Sequence, residues 1–159
     1  MYMYMYIVKN YGEAEAVRAL LEDSEDIFGV PLSKKSVAVI TTYSGQVALL
    51  RELTDGKVDV YTIDKSQGQD RDVIILSMVR SNPEGKLGFI CDRRRINVAL
   101  TRARNGLIIV CNTQMLVADK RTSYSYLDWA RAQQIILEFT SGYNVKSLRS
   151  YDMGRVATS

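Results

Sequence analysis

Apolar and polar positions along this chain fall into two kinds of block. Short, nearly continuous apolar runs occupy 37–40 (V-A-V-I), 72–79 (D-V-I-I-L-S-M-V) and 106–111 (G-L-I-I-V-C). Runs of this length fit strands covered on both faces. Residues 2–8 and 58–63 are also β-prone. Between these runs the apolar residues repeat at helical spacing. Residues 13–22, E-A-E-A-V-R-A-L-L-E, gather Ala16, Leu20, Val17 and Leu21 on one side of a strong helix. Residues 44–53 form a second helix with Val47 and Leu50 inward, closed by the Asp55-Gly56 turn. Residues 93–104, R-R-R-I-N-V-A-L-T-R-A-R, predict a third. Ile96, Leu100 and Ala103 make its apolar stripe, with Arg95, Ala99 and Arg102 on a neighbouring face. A short helix at 113–118 and a longer one at 126–140 complete the pattern, and 23–35 is a polar linker broken by Pro31.

Strands alternating with helices predict an α/β fold, a parallel sheet with helices on both faces. Ligands of such sheets bind beyond the carboxyl ends of the strands. The loops after Ile40, Ile63 and Val79 are expected there. No repeat, low-complexity tract or second domain is visible, so 1–159 reads as one domain, with a core at about 7–140 and a tail at 141–159.

Composition narrows the chemistry. The chain has no histidine, which excludes Ser-His-Asp hydrolysis and most zinc enzymes. Its two cysteines, Cys91 and Cys111, have neither the number nor the spacing of a disulfide framework or metal site. A reducing compartment and two inert buried thiols are expected. Net charge is +3, which permits a nucleic-acid partner without demanding one. No apolar run reaches the ~18 residues of a membrane span. The Met-Tyr alternation at 1–6 lacks the basic region and cleavage site of a signal peptide.

The arginines are not evenly spread. Five of the twelve residues at 93–104 are arginine, on a segment that must also pack. A guanidinium fork there matches phosphate oxygens. A phosphate loop, however, is missing. Neither Gly56-Lys57 nor Gly85-Lys86 has the required preceding glycine or following Ser/Thr, and no acidic pair closes an apolar strand to hold magnesium. The chain alone is not expected to hydrolyse ATP. It carries groups suited to the opposite wall of an ATP cleft. Tyr43 could stack on a base, and Gln46 could hydrogen-bond beside it. Gln67-Gly68-Gln69-Asp70 sets a permissive glycine near a carboxylate suited to a ribose hydroxyl. Arg102 could act as an arginine finger.

These residues come in a recognisable order. V-A-V-I-T-T-Y-S-G-Q, then T-I-D-K-S-Q-G-Q-D-R-D-V-I-I-L-S-M-V-R-S-N, then D-R-R-R-I-N-V-A-L-T-R-A-R-N-G-L-I-I-V-C-N resemble motifs IV, V and VI of superfamily 1 helicases, of the 1B branch. The resemblance runs from about Ala14 to about Leu137. It implies the second, C-terminal RecA-like domain of a P-loop NTPase motor. ATP with Mg2+ would sit between two such domains, the phosphate loop and magnesium ligands coming from an N-terminal one. The resemblance places Tyr43 on the adenine, the Gln67, Gly68 and Asp70 loop on the ribose, and Arg102 on the γ-phosphate. It places Thr62 on the nucleic-acid backbone, with Arg80 and Asn82 coupling that track to the ATP site. Partners would be single-stranded DNA or RNA and the N-terminal RecA-like domain, with no membrane.

Three positions depart from the family pattern: Thr42 and Arg93 stand where proline is common, and Val47 near where many members have an arginine. Weakened ATP coupling is the expected consequence. Within the branch, D-K-S-Q-G-Q-D and V-R-S-N lean towards the DNA replication helicase-nuclease, with a 5′-to-3′ direction and a nuclear location. T-Y-S-G-Q and R-D-V-I-I-L-S-M-V lean towards the nonsense-mediated-decay and senataxin RNA helicases, cytoplasmic in the RNA-decay case. The other alternative is a catalytically incomplete RecA-like nucleic-acid-binding module. An uncovered cleft face would favour self-association of the isolated chain.

Overall fold

The structure, a computed structural model, describes residues 10–29, 31–79, 92–112 and 132. Helix α1 spans Tyr11–Glu22 and a one-turn helix α2 spans Ser24–Phe28. Strand β1 (Val37–Thr41) leads into α3 (Ser44–Leu53), then β2 (Asp59–Thr62) and a 3-10 turn at Ile63–Lys65. Strand β3 (Arg71–Ser77) follows, and α4 (Arg93–Leu100) precedes β4 (Ala103–Val110). The strands form one parallel sheet in the order β2-β1-β3-β4. This is the α/β RecA-like architecture, with helices on both faces.

Alternation along the central strands sorts the core into two layers. Val37, Val39, Val73 and Ile75 pack against Ala14, Val17 and Leu21 of α1 and Val47, Leu49 and Leu50 of α3. Ala38, Ile40, Ile74 and Leu76 pack on the other face against Ile96 and Ala99 of α4. Successive strand residues point to opposite faces, so a strand buried on both sides must be apolar throughout. The run from β1 leftwards to β2 and from β3 rightwards to β4, with right-handed crossovers, puts α3 and α4 on opposite faces. The same order makes the gap between the carboxyl ends of β1 and β3 a topological switch point.

The sequence spacing places α3 on its observed residues, but other boundaries differ. The strand expected at 58–63 is Asp59–Thr62, and the one expected at 72–79 is Arg71–Ser77. The linker at 23–35 contains α2. The largest difference lies at 93–104, which is not one helix. Helix α4 stops at Leu100, Thr101 and Arg102 turn, and β4 starts at Ala103 rather than at 106. The Thr101 hydroxyl donates back to the carbonyls of Asn97 (2.9 Å) and Val98 (3.1 Å), ending the helix. Ala103 then pairs with Arg71 in the sheet. The buried apolar residues of α4 are accordingly Ile96 and Ala99, while Leu100 and Ala103 of the expected stripe pack partly buried against the same core layer. The elements expected at 2–8, 113–118 and 126–140 lie outside the described residues, apart from 132. So do Arg80, Asn82 and Cys91.

Candidate functional site

Arg102 stands in the two-residue turn between α4 and β4, at the amino end of the sheet. Its three guanidinium nitrogens are all engaged. Nη1 donates to Asp70 Oδ1 at 2.9 Å, Nε to the Val98 carbonyl at 3.0 Å, and Nη2 to Thr101 Oγ1 at 3.2 Å. Asp70 immediately precedes β3, and the Arg71 N–H donates to the Arg102 carbonyl at 3.1 Å. Parallel pairing of β3 with β4 thus brings together two residues, Asp70 and Arg102, that are 32 positions apart in sequence.

The chain returns from the end of β2 to the start of β3 through residues 63–70, which cross the face covered by α4. Gly68 turns there with φ +77, and a Cβ at this glycine would meet nothing within 4 Å. Its need for glycine is therefore conformational, and the space beside it is open. Gln67 and Asp64 of this crossing line an open groove of about 320 Å³ with Ile63, Arg94, Arg95 and Val98. Arg95 lies 3.3 Å from Asp64 and 3.7 Å from Asp92. Asp92 caps α4, accepting from the N–H groups of Arg94 (3.0 Å) and Arg95 (3.4 Å). Cations in the first turn of a helix oppose its macrodipole. A break with a local preference at an open groove suits the recruitment of an anion better than helix stability.

Thr62 ends β2 and lines a second groove, of about 210 Å³, with Ser44, Val47, Ala48, Arg51, Val60, Tyr61 and Lys65. Arg51 is held across it by a 2.9 Å bond to the Val60 carbonyl. Val47, one of the three expected departures from the family pattern, is 9% exposed and belongs to the α1–α3 core layer. The structure thus gives that departure a packing role.

Tyr43 is the N-cap of α3, at the carboxyl end of β1. Asp70 and Arg102 lie at the amino end of the sheet, roughly 20 Å away along a strand of this length. The expectation that the site gathers at the carboxyl ends therefore holds for Tyr43 and Thr62 and not for Asp70 or Arg102. Gln46 is not open to a ligand as expected. It is fully buried, its Oε1 accepting from the Asn10 N–H (2.8 Å) and its Nε2 donating to the Asn10 carbonyl (3.0 Å). The turn after β1 points its first helical face inward, and the amide is spent on α1.

The sequence reading missed Glu13. This carboxyl is 7% exposed, at the switch point between β1 and β3. Its Oε2 accepts from Ser77 Oγ at 2.7 Å and from the Val79 N–H at 2.7 Å. Asn10 Nδ2 donates to the Val79 carbonyl at 3.0 Å. Thr42 Oγ1 donates to the Met78 carbonyl at 3.0 Å. Val79 itself has φ +69, a left-handed conformation that costs a β-branched residue about 1–3 kcal/mol and persists only where its surroundings hold it. Burial pushes the Glu13 carboxyl up to about 7, against the opposing pull of hydrogen bonds from Val79, Ser77 and Met78. The available signal was Asn10-x-x-Glu13, the spacing of a capping box. Half of the box forms, with Asn10 Oδ1 accepting from the Glu13 N–H at 3.0 Å. The glutamate reaches away to β3 instead of back to the cap. Cys111 is half-buried rather than buried, and its thiol is pushed up to about 12 by burial and then by the Glu13 charge.

Among the described residues no cluster of His, Cys, Asp and Glu is placed to hold a metal. No helix among them is long and apolar enough to cross a membrane. What this face offers is guanidinium groups, open grooves and a half-exposed carboxylate partner for one arginine, Asp70. Such a set can bind and neutralise phosphate, and it contains no nucleophile or metal cage of its own.

A family model described as an AAA domain matches residues 5–114, well over half of the chain. The chain is 39% identical over 112 residues to the DNA polymerase alpha-associated DNA helicase A of Saccharomyces cerevisiae, a match covering 67% of this chain and 16% of that protein. It is 48% identical over 84 residues to the human NFX1-type zinc finger-containing protein 1, covering 50% of this chain and 4% of the other. It is 36% identical over 110 residues to the DNA-binding protein SMUBP-2 of Rattus norvegicus, covering 58% and 11%. In each case the match spans under a fifth of the relative's length.

Proposed function

We propose a function from one premise: this chain belongs to the AAA-domain family within the superfamily 1 helicases, as a C-terminal RecA-like domain of the 1B type. It is the second half of a two-domain, ATP-driven motor that moves 5′ to 3′ on single-stranded nucleic acid. ATP is the substrate. Its phosphate loop and Mg2+ ligands come from an N-terminal RecA-like domain.

The observation that carries this reading is the Asp70–Arg102 pair. A guanidinium at a strand end, held at 2.9 Å by a half-exposed carboxylate, is charged, oriented and exchangeable. When the cleft closes, the γ-phosphate takes the place of Asp70 on Arg102, and Asp70 is released to the ribose. Arg102 then stabilises the charge that develops on the transferred phosphoryl group. Gln67 borders the groove with Arg94 and Arg95, where phosphate oxygens find further donors, and Gly68 follows it in the same loop. Tyr43, at the opposite end of the sheet about 20 Å from Asp70, lies too far away to meet the adenine of a nucleotide whose ribose meets Asp70, and is left out of this site. Gln46 serves indirectly, by fixing the start of α3 against Asn10. Thr62, with Lys65 at its groove, meets the nucleic-acid backbone, and Arg80 takes part on the same track.

Within the branch, D-K-S-Q-G-Q-D at 64–70 supports the DNA replication helicase-nuclease type and a nuclear location. The likeness to a DNA polymerase alpha-associated DNA helicase and to the DNA-binding protein SMUBP-2 supports a DNA track. Binding of labelled single-stranded DNA and RNA across a salt series tests the reading. Backbone-directed contact gives affinity that falls steeply with salt and depends little on base sequence. Salt-independent binding, or recognition of one sequence only, would contradict it.

A further inference from the structure

The switch point between β1 and β3 is filled by the first turn of α1, and its polar bonds converge on one residue, Val79. The Val79 N–H is held by Glu13 and its carbonyl by Asn10. Met78, one position earlier, still donates to the Val110 carbonyl at 3.0 Å and so remains in the sheet. Val79, two residues past the end of β3, is therefore the point at which the chain parts from the sheet. Both of its backbone groups are tied to a helix 66 residues or more away in sequence. The other side of the clamp is tied as well. Gln46, on the first turn of the helix capped by Tyr43, grips both backbone groups of Asn10.

We propose that Asn10 and Glu13 are positioning residues: they hold the left-handed exit of β3 at Val79 and lock it to the β1–α3 turn that carries Tyr43. The inference rests on the half-motor reading, in which the nucleotide meets Asp70 and Arg102 at the amino ends of the strands and the nucleic-acid track follows their carboxyl ends. β3 runs from Asp70 to the clamped exit, so it links the two, and a motor needs such a link to make turnover depend on its track.

Helix capping alone does not account for the arrangement. In a capping box the glutamate returns to the cap N–H, whereas here Gln46 occupies that N–H. Fold stability does not require it either, since a buried carboxyl is costly and an apolar group would fill the same space. The groups bonded to Glu13 are Asn10, Ser77 and the Val79 and Met78 backbone, and its charge acts on the Cys111 thiol. The bonds together fix where the carboxyl points.

The test uses the protein in which this chain is joined to its phosphate-loop domain. ATP turnover is followed as the concentration of a single-stranded oligonucleotide is raised, and separately as ATP is raised. For Glu13→Ala we expect the oligonucleotide concentration at half-maximal stimulation to rise about fivefold or more, with half-saturation by ATP changing little. Glu13→Gln, which keeps the acceptor oxygen, restores the wild-type value. Asn10→Ala moves the same quantity in the same direction, and it decides the matter if Glu13→Ala does not fold. A uniform loss of rate with unchanged half-stimulation would make the clamp a purely structural feature and overturn the proposal. Unchanged kinetics would overturn it too. A wild-type protein that nucleic acid does not stimulate would defeat the proposed function first, and this inference with it.

Discussion

Arg102 and Asp70 lie 2.9 Å apart at the amino ends of β4 and β3. Their side chains are 21% and 45% exposed, so water screens the pair and it contributes only about 0–1 kcal/mol to stability. Such a pair is more useful as an exchange than as a brace. Asp70 keeps the guanidinium oriented until a stronger anion arrives.

Substitution of the two partners should therefore have unequal effects. Arg102→Ala is expected to lower ATP turnover of the two-domain protein by roughly a thousandfold, the scale of losing an arginine finger. Asp70→Asn should leave urea stability within about 1 kcal/mol of the wild type. Comparable rate losses from a distant surface arginine would remove the special role of Arg102.

The Glu13 carboxyl makes stability depend on pH. Its folded value is raised to about 7 from an ordinary 4.5. Across that interval the folded chain holds a proton that the unfolded chain has lost. The contribution is fully present below about 4.5 and falls away as pH rises through about 7, by roughly 3 kcal/mol. Urea unfolding at pH 5 and pH 8 should show the loss in the wild type and a much smaller change in Glu13→Gln. Equal slopes in both would place the titration elsewhere.

Ala99 is fully buried where α4 lies on the sheet, three positions before Arg102. A larger side chain there has no space to enter. Ala99→Leu should cost about 1–3 kcal/mol in urea unfolding and displace the end of α4, lowering turnover of the two-domain protein. A stable, fully active variant would show that the contact is looser than described.

Cys111 should resist alkylation. With its thiol pushed up to about 12, almost none is thiolate at pH 8. In a Cys91→Ser background, iodoacetamide should label the native chain far more slowly than the urea-unfolded chain. Equal rates would mean an accessible thiol.

The fold was readable in the sequence wherever burial dictates pattern. Strands covered on both faces must be apolar at every position, so β1 and β3 announce themselves, and Val47 and Leu50 mark the inner face of α3. The α4–β4 boundary was not readable, because T-R-A-R has ordinary helical composition. Its break depends on the Thr101 hydroxyl and on pairing of Ala103 with Arg71, both tertiary facts. The motif residues were legible as a set but not in their positions. Asp70 and Arg102 meet through strand register, while Tyr43 belongs to the other end of the sheet. The burial of Gln46 and Glu13 was hidden for one shared reason. A polar residue in a helix reads as exposed, and only the switch-point packing shows that both are buried.

The central claim is that this domain completes an ATP site begun elsewhere. The most direct measurement is ATP turnover by this chain alone and by the chain joined to its phosphate-loop domain, each with and without single-stranded DNA or RNA. The account predicts turnover only in the joined protein, stimulated by nucleic acid and abolished by Arg102→Ala. Turnover by the chain alone, or none in the joined protein, would contradict it, the latter favouring a nucleic-acid-binding module without a motor.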